Sequence, residues 1–233
     1  MNALVEYSSS SEEEEELVTK KRKIEREEEH IWIRNFAHVD GNWPSYVYFK
    51  VEMTNAMETM IKFSMEQTEK SFTTILNLVR MDDPRATKDE FDGFHLSLSR
   101  TFVLKYDQIQ FFVKELTAKL KYRKRLRIGL RGHQVLINDE RTRLFSTIPV
   151  ISGVQEMCHV IECVDRCMVQ FGLSPYYANP IPHVSVASTV IAPEEKAIEL
   201  EARAPPTVFV DCNEVSVTIG NKYYSIPLLS HIN

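Results

Sequence analysis

FHLSLS (residues 94–99) returns as PHVSVA (182–187), which carries the histidine from position 95 to position 183. In both copies a Ser stands two places after the His. Apolar residues fill the alternate positions: Phe94, Leu96 and Leu98 in the first copy, Val184 and Val186 in the second. Successive side chains of a strand point to opposite faces. As strands, therefore, the copies place His95, Ser97 and Ser99 on one face, and His183, Ser185 and Ala187 on the equivalent face. The apolar partners turn toward a core. Along each strand the His and the Ser lie about 6.6 Å apart, two rises of ~3.3 Å. That spacing lets a ring and a hydroxyl touch different atoms of one phosphate-sized group.

The segments around the two copies repeat a rhythm of strands and helices. YVYFKVEM (46–53) reads as a strand, and the apolar spacing from Asn55 to Arg80 predicts helical structure, in one or two pieces. MDDPRATKDEFDG (81–93) is a polar loop, FHLSLSR a strand, and 106–122 a helix with Asp107 as its expected N-cap. Two or three strands are expected between Arg123 and Ile151, then a helix over 154–171, then the strand HVSVASTV. TVFVDC, EVSVTIG and KYYSIPLL close the chain as three strand-like runs. The order predicts an α+β fold of two units, each carrying one His strand, rather than a doubly wound parallel sheet. The chain contains no GxGxxG or GxxxxGK[ST] loop to cradle a nucleotide.

Charge separates the chain into a tail and a body. Of the 33 acids and 28 bases, ten acids and five bases lie in residues 1–30, which leaves 23 of each in the remainder. A formally neutral body is unsuited to coating long nucleic acid by bulk electrostatics, but compatible with gripping one short end in a local pocket. SSSSEEEEE has almost nothing to bury, so residues 1–30 are expected to be a disordered tail and residues 31–233 a single two-lobed domain. KKRK (20–23) is either a nuclear localisation signal or part of a solvated tail. No apolar run approaches the ~20 residues that span a bilayer, and the start lacks the pattern of a secretory signal. The four cysteines form no CxxC pair, so reduced, mostly buried thiols in an intracellular protein are expected.

Paired His strands suit phosphodiester cleavage by an internal nucleophile. A ribose 2′-OH attacks the adjacent phosphorus while one imidazole removes its proton and a second protonates the departing 5′-oxygen. With an unperturbed pKa near 6.5, His can serve either role near neutrality, and each transfer supplies roughly 10²- to 10⁴-fold. The two Ser hydroxyls can hold the non-bridging oxygens, where charge develops. Neither a metal nor a cofactor is required. A metal site built on His95, His183 and one further ligand is the weaker alternative, because Ser is a poor ligand and no Asp, Glu or third His shares either face.

HLS and HVS match the HxS/T repeat that names the 2H phosphoesterase superfamily. The chain further resembles the U6 small nuclear RNA phosphodiesterase branch, the Usb family, over about residues 32–229. GNWPSYVYF (41–49), FHLSLSRTFVL (94–104), NDERTRLF (138–145), PYYANPIPHVSVA (175–187) and GNKYYSIPL (220–228) carry that resemblance. It implies a bilobed α+β fold with pseudo-twofold symmetry, whose antiparallel sheets line a central cleft. It also implies a nuclear, metal-independent exoribonuclease that trims the 3′ oligouridine tail of U6 RNA and leaves a 2′,3′-cyclic phosphate or, after opening, a monophosphate. By position, His95 and His183 are then the catalytic pair, Ser97 and Ser185 the phosphate-binding hydroxyls, and Tyr177 the aromatic that stacks on the terminal base. The expected partner is the single-stranded 3′ end of RNA, bound by a monomer away from any membrane.

On residues alone, Tyr177 is either a stacking platform in the Pro-flanked loop 175–182 or a packing tyrosine, with Tyr176 the one expected to turn inward. KLKYRKRLRIGLR (119–131) carries seven bases in thirteen residues and either lines an approach for RNA or decorates a helix end. GNK (220–222) reads as a hairpin turn, with Lys222 a lesser candidate for a phosphate contact. His133 and His159 lack the HxS context and read as structural or surface residues. Two alternatives keep the site and change the outcome: opening of 2′,3′-cyclic phosphates or cleavage of 2′–5′ linkages, and RNA-end binding without cleavage.

Overall fold

The computed structural model describes residues 39, 41–73, 76–83, 93–191, 198 and 202–230. The expected tail, the KKRK segment, the domain start near Ile31 and most of the 81–93 loop lie outside the described residues. The first element is a ten-residue strand, β1 (Asn42–Val51), in which polar Tyr46 and Lys50 alternate with buried Val47, Phe49 and Val51. Helix α1 (Asn55–Lys70) follows, opened by Thr54, whose hydroxyl accepts from the Met57 N–H at 3.1 Å. The helix ends at Lys70, short of the expected reach to Arg80. Ser71 closes it by bonding the Gln67 carbonyl, and Phe72 packs with Leu144 and Ile191 in a small separate cluster. The apolar residues past Lys70 thus serve a second core rather than a continued helix face.

After β2 (Val79–Arg80) come β3 (Phe94–Ser97), β4 (Phe102–Lys105), a 3₁₀ turn (Tyr106–Gln108) and α2 (Ile109–Leu120). Asp107 falls inside that turn and is not the cap; the Gln108 side chain accepts from the Lys105 N–H at 2.8 Å instead. The stretch 123–151 resolves into β5 (Leu126–Leu130), β6 (Gln134–Ile137) and β7 (Arg143–Ser152), the last running one residue further. Helix α3 (Val154–Gln170) buries Met157, Ile161, Val164 and Met168 on one face, as their spacing requires. Strands β8 (His183–Val190), β9 (Val208–Cys212), β10 (Glu214–Ile219) and β11 (Lys222–Pro227) complete the described chain. Gly220 turns β10 into β11 at φ +55°, and a Cβ there would lie 2.6 Å from the Trp43 ring, so the GNK turn needs its glycine.

The strands run in the order β11-β10-β1-β3-β8-β7-β5-β9, with antiparallel pairing between the named strands. That order is its own mirror about the β3/β8 junction. The ten-residue strands β1 and β7 flank the centre, and each carries an extra short strand, β4 on β1 and β6 on β7. Two pseudo-symmetric lobes therefore meet along the two His strands, as an α+β bilobed fold requires. Val47, Phe49, Leu96, Ile148, Val184 and Val217 join the buried residues of all three helices in one hydrophobic core. Fully burying a side chain of this size stabilises by roughly 1.5–3 kcal/mol. Cys163, Cys167 and Cys212 are buried free thiols, and burial pushes the last two up to about 12. Among the described residues no helix is long and apolar enough to cross a membrane.

Candidate active site

Leu96 pairs with Val184 where β3 meets β8. Extending that antiparallel register by one residue each way sets His95 against Ser185 and Ser97 against His183. Each histidine therefore has two serines within its reach, one along its own strand and one across the junction. This cross-strand exchange, rather than either HxS alone, builds a phosphate-sized site. Four polar side chains converge on one floor while Leu96 and Val184 anchor it from below.

The neighbouring strands extend the same face. On β1, Lys50 stands opposite His95 and Tyr48 opposite Ser97; on β7, Pro149 stands opposite His183 and Thr147 opposite Ser185. Helix α1 fixes the β7 side, where the register shifts between Ser146 and Thr147. Ser64 Oγ donates to the Thr147 carbonyl at 3.0 Å and stands 3.0 Å from Ser146 Oγ, all of it buried. Satisfying these groups inside the core makes the irregularity a fixed feature.

His95 sits among rings, 5.7 Å from Tyr46 and 5.5 Å from Tyr48, the latter edge-on. Burial, and then the neighbouring charge of His183, pull its pKa down to about 4. Burial also lowers His183, but the Ile181 carbonyl opposes that shift, lying 2.6 Å from His183 Nδ1. A proton on Nδ1 satisfies that carbonyl and leaves Nε2 for chemistry. Burial thus drives both rings toward the neutral form, His95 the more strongly, and His183 differs in having its Nδ1 engaged by the Ile181 carbonyl.

Tyr177 is exposed and Tyr176 packs against the core, with its N–H donating to Asp165 at 2.7 Å. The Arg100 guanidinium lies 4.7 Å over the Tyr177 ring and pairs with Asp139 at 3.3 Å. One face of Tyr177 is backed by a cation. Arg100 directly follows the first His motif, yet nothing in its spacing ties it to Tyr177. Lys50, Tyr46 and Tyr48 were legible only as members of a strand over 46–53, since no local pattern says which strand lies beside His95.

Other sequence candidates fall elsewhere. Ser99 leaves the site face: it is buried, and its hydroxyl accepts from the Val47 N–H at 3.0 Å. Ala187 is buried too, beyond the register shift. Lys222 pairs with Ile219, on the face away from the histidines, with its ammonium 5.6 Å over Trp43. The basic run 119–131 covers the end of α2 and strand β5, two strands beyond β8; within it Arg127 lies 3.6 Å from Asp211. His133 packs edge-on against Phe63 at 6.3 Å, and His159 is exposed on α3. Among the described residues no three His, Cys, Asp or Glu side chains gather to hold a metal ion.

Two mirrored lobes, joined through one HxS strand from each, define the 2H phosphoesterase class. The solved structure of Kluyveromyces marxianus Usb1 with uridine monophosphate shares this fold, at a TM-score of 0.57 and 12% identity over 79% of this chain and 98% of that one. The HVSL family model, described as an uncharacterised conserved protein, matches residues 8–227. The chain is 31% identical to U6 snRNA phosphodiesterase 1 of Danio rerio over 228 residues, 89% of this chain and 78% of that protein. It is 31% identical to the Drosophila melanogaster protein of the same name over 203 residues, 84% of this chain and 74% of that one. The chain belongs to the HVSL family and, through these relatives, to the family of the U6 snRNA phosphodiesterase 1 proteins.

Proposed function

We propose that the protein is a 3′→5′ RNA phosphodiesterase that trims the oligouridine end of U6 snRNA by attack of a 2′-OH on the adjacent phosphorus. The observation that carries this reading is the β3/β8 register, which surrounds one phosphate-sized space with both histidines and both serines. Family membership supplies the RNA: the curated relatives are named for U6 snRNA, and a related fold was solved with uridine monophosphate.

His95 acts as general base and takes the 2′-OH proton, its ring being the more strongly driven of the two toward the neutral form. His183 acts as general acid through Nε2, its Nδ1–H remaining on the Ile181 carbonyl. The new bond joins the 2′-oxygen to phosphorus and the bond to the 5′-oxygen breaks. The products are a 2′,3′-cyclic phosphate end and a nucleoside with a 5′-hydroxyl. Ser97 and Ser185 donate to the non-bridging oxygens, where charge builds, and Tyr177 stacks on the departing base on the His183 side of the site. Each step is assigned to a side chain of this chain and none to a metal. The enzyme acts as a monomer, and KKRK directs it to the nucleus.

Mass analysis of the RNA end left on an oligouridine-tailed substrate, with and without EDTA, tests the reading. A cyclic phosphate or its opened monophosphate in both samples is expected. A 3′-hydroxyl product, or activity abolished by the chelator, would refute it.

A further inference from the structure

The two lobes repeat each other around the β3/β8 junction, and the repeat breaks beside the histidines. Lys50 of β1 stands opposite His95, whereas the equivalent strand β7 sets Pro149 opposite His183. Directly opposed residues of an antiparallel pair point to the same face, with Cα atoms about 4.5–5.5 Å apart. Lys50 therefore rises from the site face beside the proposed base, and it is exposed. Its four-carbon stem carries an ammonium with three donors, while Pro149 offers neither a charge nor an N–H.

Among the described residues Lys50 joins no ion pair. Neither Glu52, two places on in the chain, nor Glu214, which faces Lys50 when the β1/β10 register is extended by two residues, is paired with it. At the His183 end the cation is Arg100, which is already held by Asp139 at 3.3 Å and lies 4.7 Å over the Tyr177 ring. The ammonium on the His95 side is the one left to meet a ligand.

We infer that Lys50 binds the RNA phosphate next upstream of the scissile one, on the 5′ side of the nucleotide that supplies the attacking 2′-OH. The inference rests on the proposed reaction. In-line attack puts the attacking and departing nucleotides on opposite sides of the phosphorus. The departing one, at Tyr177 beside His183, is the 3′ terminus and brings no further phosphate. The attacking one, beside His95, is joined to the rest of the RNA through the phosphate on its own 5′-oxygen. Removal of nucleotides from a 3′ end thus calls for a cation beside the base and none beside the acid, which is how Lys50 and Pro149 are distributed. A phosphate contact fixes register without reading sequence.

A double comparison tests it. A uridine trinucleotide is made with its first linkage either a phosphodiester or a neutral methylphosphonate, the second linkage, which is the one cleaved, being left natural. Both are trimmed by the wild type, Lys50→Ala and Lys50→Arg. For the wild type, the neutral linkage is expected to raise KM about 2- to 5-fold at low salt with little change in kcat. Lys50→Ala should treat the two substrates alike, and Lys50→Arg should discriminate like the wild type. On the natural trinucleotide, the slope of log KM against log salt concentration should be shallower by about 0.7 in Lys50→Ala. If Lys50→Ala still discriminates as the wild type does, or the wild type never discriminates, the assignment is refuted. Binding of the same trinucleotides with a 2′-deoxy attacking sugar, measured by fluorescence anisotropy, reads the same contact without cleavage. Failure of the wild type to trim either trinucleotide would instead count against the proposed reaction, and the binding comparison would still decide the role of Lys50.

Discussion

Leu96 stands opposite Val184, and through that fully buried pair β3 of one lobe meets β8 of the other. His95, Ser97, His183 and Ser185 are the immediate chain neighbours of these two residues. Core packing at the junction and geometry in the site are therefore one structural fact. Leu96→Ala should cost about 2–5 kcal/mol in urea denaturation, through lost burial and the cavity left behind. It should also lower turnover per folded molecule. A cost below about 1 kcal/mol would mean that the lobes are held together elsewhere.

The depressed pKa of His95 gives stability a defined pH dependence. Folded, the ring keeps its proton only below about 4, whereas in the unfolded chain it titrates near 6.5. Between those values the unfolded chain holds the extra proton, so acid favours unfolding. Stability from this group is complete above about pH 6.5, falls as pH drops and levels off near 4, a loss of up to about 3 kcal/mol. His183, also lowered, adds a loss of the same sign. Urea midpoints at pH 7.5 and 4.5 should differ less for His95→Gln than for the wild type. Equal acid losses in the two proteins would contradict the burial of a neutral ring.

The serines divide into two kinds. Ser97→Ala and Ser185→Ala should each lower kcat by about 10²- to 10³-fold while leaving stability nearly unchanged, as removal of a transition-state donor does. Ser99→Ala should do the reverse. It strands the buried Val47 N–H and should cost about 1–3 kcal/mol without touching kcat. A kcat loss in Ser99→Ala equal to that in Ser97→Ala would return Ser99 to the site.

At the other end of the site, Tyr177→Ala should raise KM by an amount equivalent to the ~1–3 kcal/mol of one stacked base, with kcat little changed. Arg100→Ala removes the guanidinium 4.7 Å from that ring and should produce a smaller rise, which Arg100→Lys restores in part. Steady-state kinetics on a short oligouridine separates the two parameters. An unchanged KM in Tyr177→Ala would leave the ring as packing.

Local chemistry was legible in the sequence wherever neighbours in the chain decide it. Alternation placed His95 with Ser97 and His183 with Ser185, and helical spacing found α3 almost to the residue. What the chain alone could not show depends on partners far along it. Ser99 obeys the alternation of its strand, yet the bend after Ser97 turns it to the Val47 amide 52 positions away. Ala187 leaves the face because β7 and β8 slip register at Ser146, a shift held by α1 hydroxyls. Helix α1 stops at Lys70 because Phe72 packs with Leu144 and Ile191, which local periodicity cannot reveal. For the same reason Tyr46, Tyr48 and Lys50 were seen as parts of a strand but not as neighbours of His95. Lys222 was drawn toward the cleft by its turn, although its register with Ile219 points it away.

Internal attack by a 2′-OH, with His95 and His183 moving the protons, is the centre of this account. An oligouridine carrying a single 2′-deoxy sugar on the 5′ side of one chosen linkage tests it most directly. Trimming should proceed normally down to that linkage and stop there, in wild-type enzyme and with EDTA present. Continued trimming through the deoxy position would contradict internal attack, and with it the roles assigned to both histidines.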